Sequence, residues 1–154
     1  MTGKLSDEDG YASAPGVEDM VAACEKNTAW RRVLATSERT QIVLMSIPVN
    51  TDIGAEVHKV DQTIVFVAGE GYADLDGSRT KMGPGWIAFV PKGTRHNFIN
   101  TGMGDLKLYT VYAPPNHKPG DVEKTKADAA KVPDVPLHSG RTFALPRRDA
   151  WYYQ

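Results

Sequence analysis

The stretch DIGAEVHKVDQTIVFVAGEG, residues 52–71, sets a polar beginning against an apolar end. Glu56, His58, Asp61 and Gln62 precede Thr63 to Ala68, a run rich in β-branched and aromatic side chains of the kind that form strands. Polar groups carried into an interior must find partners there, because desolvation without them costs kcal/mol each. In a strand, residues two apart share a face and lie roughly 6.6 Å apart along it. Glu56 and His58 therefore point the same way, and Gln62 joins them after a tight turn at residues 59–61. Asp61 points away from that set and reads as a turn residue. Ile64 and Phe66 fall on one side of the strand, Val65 and Val67 on the other, so the strand is apolar on both faces. Something is expected to cover its outer side: a terminal extension or a second subunit.

Moving outward, residues 30–113 repeat the same texture. Short runs such as WRRVLAT, QIVLMSIP, WIAFVP and LKLYTVYAP alternate with turn residues, among them Asp76-Gly77, Lys92-Gly93 and Gly83-Pro84-Gly85. Many short strands with no helix between them indicate an antiparallel sandwich or barrel. Upstream, Val17, Met20, Val21 and Cys24 stand at helical spacing and predict a short helix, with Cys24 as a small core residue. Downstream of Ala113 lie six of the ten prolines, around one helix-capable piece, KTKADAAK. The expected organisation is an N-terminal extension (1–28), a barrel (29–113) and an extended Pro-rich arm (114–154) packed on it.

A third element, GPGWIAFVPKGTRHNFIN (residues 83–100), places His96, Phe98 and Asn100 on one face. Two imidazoles, a carboxylate and an amide oxygen converging inside a barrel make a cation site. Imidazole suits Zn, Fe and Ni, and oxygen ligands widen the choice to Mn. Packing alternatives exist for each: Glu56 with Lys59, and Gln62 with backbone groups. Phe66 and Phe98 share the parity of the site and are candidates for the substrate pocket, or for the core. His117 and His138 lie in Pro/Gly-rich loops and are expected in solvent.

Gly85, Pro91, Gly93, His96 and Asn100 together resemble, without departure, the second motif of the cupin superfamily. Glu56, His58, Gln62 and Gly69 keep the spacing of the first motif, which usually has His in place of Glu56 and Glu in place of Gln62. The intervening 70–84 segment is similar in length to that of small single-domain microbial cupins. The resemblance implies an all-β double-stranded β-helix, the jelly-roll barrel, holding one divalent ion (Zn, Mn, Fe or Ni) through Glu56, His58, Gln62 and His96. The ligand types also resemble those of type I phosphomannose isomerases with Glu and Gln exchanged, as in mannose-6-phosphate-isomerase-like cupins. That implies a metal-dependent isomerase, epimerase or lyase for a small oxygenated substrate: a sugar, sugar phosphate or keto acid. The alternatives are a non-catalytic small-molecule-binding cupin and an Fe(II)-dependent dioxygenase.

Basic and acidic residues nearly balance, 18 against 19, and no basic stripe suggests nucleic acid as a partner. No apolar run approaches the roughly 20 residues that span a bilayer. The N-terminus is acidic and polar, unlike a secretory signal, and the single cysteine excludes an intrachain disulfide. A cytoplasmic homodimer acting on a small molecule is the expectation.

Overall fold

The computed structural model describes residues 5–12 and 14–131. His138, the terminal RRDAWYYQ and the packing expected of residues 132–154 lie outside the described residues. After a short helix α1 (Met20–Lys26), capped by the Asp19 side chain, the described residues form ten strands. These are β1 (Arg31–Thr36), β2 (Gln41–Ile47), β3 (Glu56–Val57), β4 (Asp61–Ala68), β5 (Gly71–Leu75), β6 (Ser78–Met82), β7 (Ile87–Val90), β8 (Arg95–Asn100), β9 (Leu106–Ala113) and β10 (Val122–Glu123), followed by α2 (Lys126–Ala129). Among the described residues they make two antiparallel sheets, ordered β10-β1-β2-β9-β4-β7 and β3-β8-β5-β6. Non-consecutive neighbours such as β9 beside β4 and β8 beside β5 are what a jelly roll requires. No helix of the described residues is long and apolar enough to cross a membrane.

The local reasons are visible in the turns. Asp76 (φ 51°) and Gly77 (φ 84°) both take the left-handed conformation that a two-residue hairpin needs to match strand twist, and they join β5 to β6. Gly71 is required for a different reason: a Cβ there would run into the Ile99 carbonyl oxygen of β8. Strand β6, SRTKM, is nearly all exposed and carries no apolar alternation, which is why its sequence does not announce a strand.

Between the sheets, alternate residues of β4, β8 and β9 turn inward. Phe66, Phe98, Leu106, Leu108, Ile64 and Ile47 are fully buried. Phe66 and Phe98, candidates for the pocket, are core residues instead, packed edge to face at 6.1 Å. The outer side of β4 is covered as expected, by the N-terminal extension: α1 packs on β2, β4 and β9. Only Cys24 of that helix is fully buried, Val21 is exposed and Val17 lies before the helix begins, so the apolar stripe is narrower than its spacing suggests. Burial pushes the Cys24 thiol up to about 11, in keeping with a packing role.

Candidate metal centre

The site forms where the chain crosses from one sheet to the other. β3 pairs with β8 so that Glu56 lies opposite His96. His58 follows β3, and its carbonyl accepts the Gly93 N–H at 2.8 Å, which ties it to the turn before β8. Asp61 then opens β4 facing outward, its carboxylate accepting the Lys92 N–H at 2.9 Å, the turn role its parity predicts. Two short backbone links thus bring three side chains from separate elements together. The ligand atoms of Glu56, His58 and His96 lie within 4.8 Å of one another.

Proton positions decide what that cluster can do. His96 Nδ1 is 2.8 Å from the Thr94 carbonyl oxygen, so Nδ1 carries the proton and Nε2 the lone pair. His96 Nε2 is buried without a hydrogen-bond partner and lies 4.0 Å from Glu56 Oε2. His58 Nε2 lies 3.4 Å from the same carboxylate oxygen, and the two rings are 4.9 Å apart. A buried polar nitrogen without a partner is costly, and a cation between His96 Nε2 and the Glu56 carboxylate would satisfy it. The residues present therefore fit a divalent ion, with Glu56 half-exposed at the mouth and both histidines buried.

Gln62, expected as a fourth ligand, is fully buried and hydrogen-bonded. Its Oε1 faces His58 Nδ1 at 3.0 Å, and its Nε2 donates to Thr110 Oγ1 and to the Tyr112 hydroxyl, each at 3.1 Å. It also lines the same cavity as Glu56. The polar residues of β9 that hold it escaped the sequence reading. Leu106, Leu108, Thr110 and Tyr112 share one parity, a usable signal, but the partnership with Gln62 spans β4 and β9. Asn100 organises its turn, bonding the Ile47 and Gly104 carbonyls and the Gly102 N–H.

His117 corrects an expectation. Far from being in solvent, it is buried against Tyr112, ring centroids 4.9 Å apart. The cause is Gln41, fully buried on β2, whose amide accepts the Asn116 and His117 N–H groups and donates to the His117 carbonyl. Desolvation, then the nearby Arg31 charge, push the His117 imidazole down to about 3 and keep it neutral.

A cavity of about 300 Å³ opens beside the cluster, lined by Glu56, Gln62, Tyr112, Trp30, Arg31 and Lys126 among others. Arg31 is held by Glu123 of β10 through two bonds of 3.2 and 3.3 Å. Lys126, from α2, bonds Asp52 Oδ1 at 2.8 Å and so keeps the Asp52 carboxyl below the usual range, helped by Asn97. The helix expected in KTKADAAK is thus present, and it forms one wall of the cavity.

Two facing antiparallel sheets with this crossover define a jelly roll, here with a Glu/His/His cluster placed to hold a metal ion, and the chain belongs to the cupin family. Residues 43–112 match the family model described as Cupin domain. The chain is 39% identical over 131 residues to YrkC of Bacillus subtilis (strain 168), a match covering 80% of this chain and 70% of that protein. It is 41% identical over 104 residues to L612 of Acanthamoeba polyphaga mimivirus, covering 64% of each. Among solved structures it is similar to BH2720 from Bacillus halodurans, with 36% identity and a TM-score of 0.76, covering 78% of this chain and 96% of that one.

Proposed function

We propose that this cupin is a metal-dependent enzyme of the isomerase, epimerase or lyase type, acting on a small oxygenated substrate. The observation that carries the reading is the convergence of Glu56 with two histidine Nε2 atoms, one of them buried and unpartnered, beside a cavity of about 300 Å³. That volume is at the small end for ligand pockets, which suits a sugar, sugar phosphate or keto acid. Glu56, His58 and His96 would hold a divalent ion, which would supply Lewis-acid stabilisation of negative charge on a substrate oxygen. Arg31 and Lys126, each paired with a carboxylate, line the same cavity and suit an oxygen-rich substrate, while Trp30 and Tyr112 supply its aromatic walls. The Tyr112 hydroxyl, within reach of the cavity and of Gln62, is positioned to orient a substrate oxygen.

A second reading is an Fe(II)-dependent dioxygenase, which the Glu56/His58/His96 group also suits. Two histidines and one carboxylate form the donor set that leaves positions open for both substrate and O₂ in non-haem iron oxygenases. A binding module without turnover is the third. Metal content of the purified chain beside His58→Ala and His96→Ala tests the site, and full metal in both variants would refute it. Assays with sugars, sugar phosphates and keto acids, with and without oxygen, separate the readings. Oxygen consumption with Fe(II) selects the second, and stoichiometric metal without turnover the third. The homodimer expected from the sequence belongs to the same proposal, supported by exposed Trp86 and by exposed Ile87 and Phe89 on edge strand β7. Sedimentation of a monomer at micromolar concentration would remove it.

A further inference from the structure

Arg31 opens β1 directly opposite Glu123 of β10. Backbone bonds on either side fix that register, from the Trp30 N–H to the Lys124 carbonyl and from the Val33 N–H to the Asp121 carbonyl. Both side chains are buried, the residues being 9% and 5% exposed. The Glu123 carboxylate takes one side of the guanidinium, with Nε donating to Oε2 and Nη2 to Oε1. Of the five N–H donors of a guanidinium, both on Nη1 and one on Nη2 are left over. Among the described residues none accepts from them, and Nη1 is not sealed from solvent. These donors therefore open on the cavity, which Arg31 lines together with Glu56. Lys126, the other cation of that cavity, is already committed. Its ammonium bonds the Asp52 carbonyl and carboxylate and lies over the Trp30 ring.

We propose that Arg31 recognises a carboxylate of the substrate through Nη1 and Nη2, and that Glu123 is a positioning residue that holds this edge of the guanidinium toward the cavity. The substrate class this names is a small keto acid. A buried Arg–Glu pair is a poor source of stability, because an apolar pair of similar volume often does as well or better. What it supplies here is orientation. A carboxylate offers two oxygens in one plane and matches the free pair of parallel donors, whereas a sugar hydroxyl fills only one of them. A sugar phosphate brings close to two negative charges at pH 7. The cavity already holds the Glu56 carboxylate, and both of its cations face carboxylates of their own. The inference deepens the proposed function and rests on it for this cavity being the substrate site.

The test uses the full ¹⁵N-labelled chain, metal-free and with Zn(II), and three probes: pyruvate, glycerol phosphate and glycerol. Pyruvate is expected to shift the Nε–Hε signal of Arg31 saturably, with the other two binding at least about 10-fold more weakly. Arg31→Lys keeps the charge but loses the fork, and its pyruvate affinity is expected to fall about 10–100-fold. The double variant Arg31→Met/Glu123→Leu replaces the pair with hydrocarbon. It is expected to keep or raise the urea midpoint and to lose pyruvate binding. Glu123→Gln removes a negative charge, which by charge alone would tighten pyruvate. Weaker binding is expected instead, because the fork is no longer held on both sides. Tighter binding would overturn the positioning role.

Pyruvate that binds the double variant as well as the wild type, or that leaves the Arg31 signal unmoved, would overturn the recognition role. Should the double variant not fold, Arg31→Lys decides it in the same way. Glycerol phosphate binding more tightly than pyruvate would overturn the substrate class. Zn(II) uptake with no response of Arg31 to pyruvate would sink this inference alone. Arg31-dependent pyruvate binding by a chain that holds no Zn(II) would end the metal-dependent reading and leave this one standing.

Discussion

The inward faces of β4, β8 and β9 carry two regions of opposite chemistry on the same strands. Toward one end, Phe66, Phe98, Leu106 and Leu108 bury hydrocarbon that needs nothing but close packing. Toward the other, Gln62, His96, Thr110 and Tyr112 occupy the same parity on those strands, and each polar atom must be accounted for. The border is abrupt: the rings of His96 and Phe98, two residues apart on β8, lie only 6.2 Å from one another. Backbone geometry is continuous across that border, so the difference lies wholly in side-chain chemistry. The hydrocarbon rows stabilise the barrel. The polar rows use its rigidity to hold a cluster that, without a cation, leaves His96 Nε2 unsatisfied.

Phe98→Ala is expected to have the largest effect, about 3–5 kcal/mol of unfolding free energy. Urea denaturation of the metal-free protein measures it, and a loss under about 1 kcal/mol would erase the distinction between the two regions. His96→Leu should behave in the opposite sense. It keeps bulk and removes an unpartnered nitrogen, so the metal-free protein should lose only about 1 kcal/mol, for the bond to Thr94. Metal affinity measured by titration should meanwhile fall by at least about 100-fold, since ligating positions matter more than the partners behind them.

A pH series sharpens the comparison at the polar end. The folded-state value of His117, about 3, lies below the ordinary 6.5, so the unfolded chain takes up the proton first. The stabilisation is therefore present above about pH 6.5 and is lost progressively as pH falls from there toward 3. Between pH 7 and 5 this amounts to about 2 kcal/mol. Denaturation of His117→Gln over the same range should show a correspondingly flatter profile, and equal slopes would refute the assignment. The smallest effect is expected from Asp61→Ala, about 0.5–1 kcal/mol for the bond to Lys92. Metal binding in that variant should be unchanged, because the carboxylate faces away from the cluster.

Much of the fold was legible. The β-branched runs, the Asp76-Gly77 hairpin and the spacing from Gly85 to Asn100 all lie within short windows, where alternation and turn chemistry act locally. Strand β6 was hidden because both its faces are wet, and β10 because it is two residues long. For the site, His58 and His96 could be read from parity and spacing, and Glu56 from its place two residues before His58. Gln62 was found as a polar interior residue, but its bonds to His58, Thr110 and Tyr112 were not legible. His117 was misjudged because Pro and Gly around it suggested an open loop, whereas Gln41 holds that loop shut.

Local pattern was enough for the all-β architecture, the turns and the two histidines, because alternation, glycine conformation and short spacings are properties of a few adjacent residues. Which oxygen meets which nitrogen was settled by the register of strands distant in the chain: Gln62 against Tyr112 across β4 and β9, Glu56 against His96 across β3 and β8, and Gln41 against residues 116 and 117. Hydrogen-bond partnership depends on separations of a few tenths of an ångström between such elements, and these exist only once both sheets have closed on a common core.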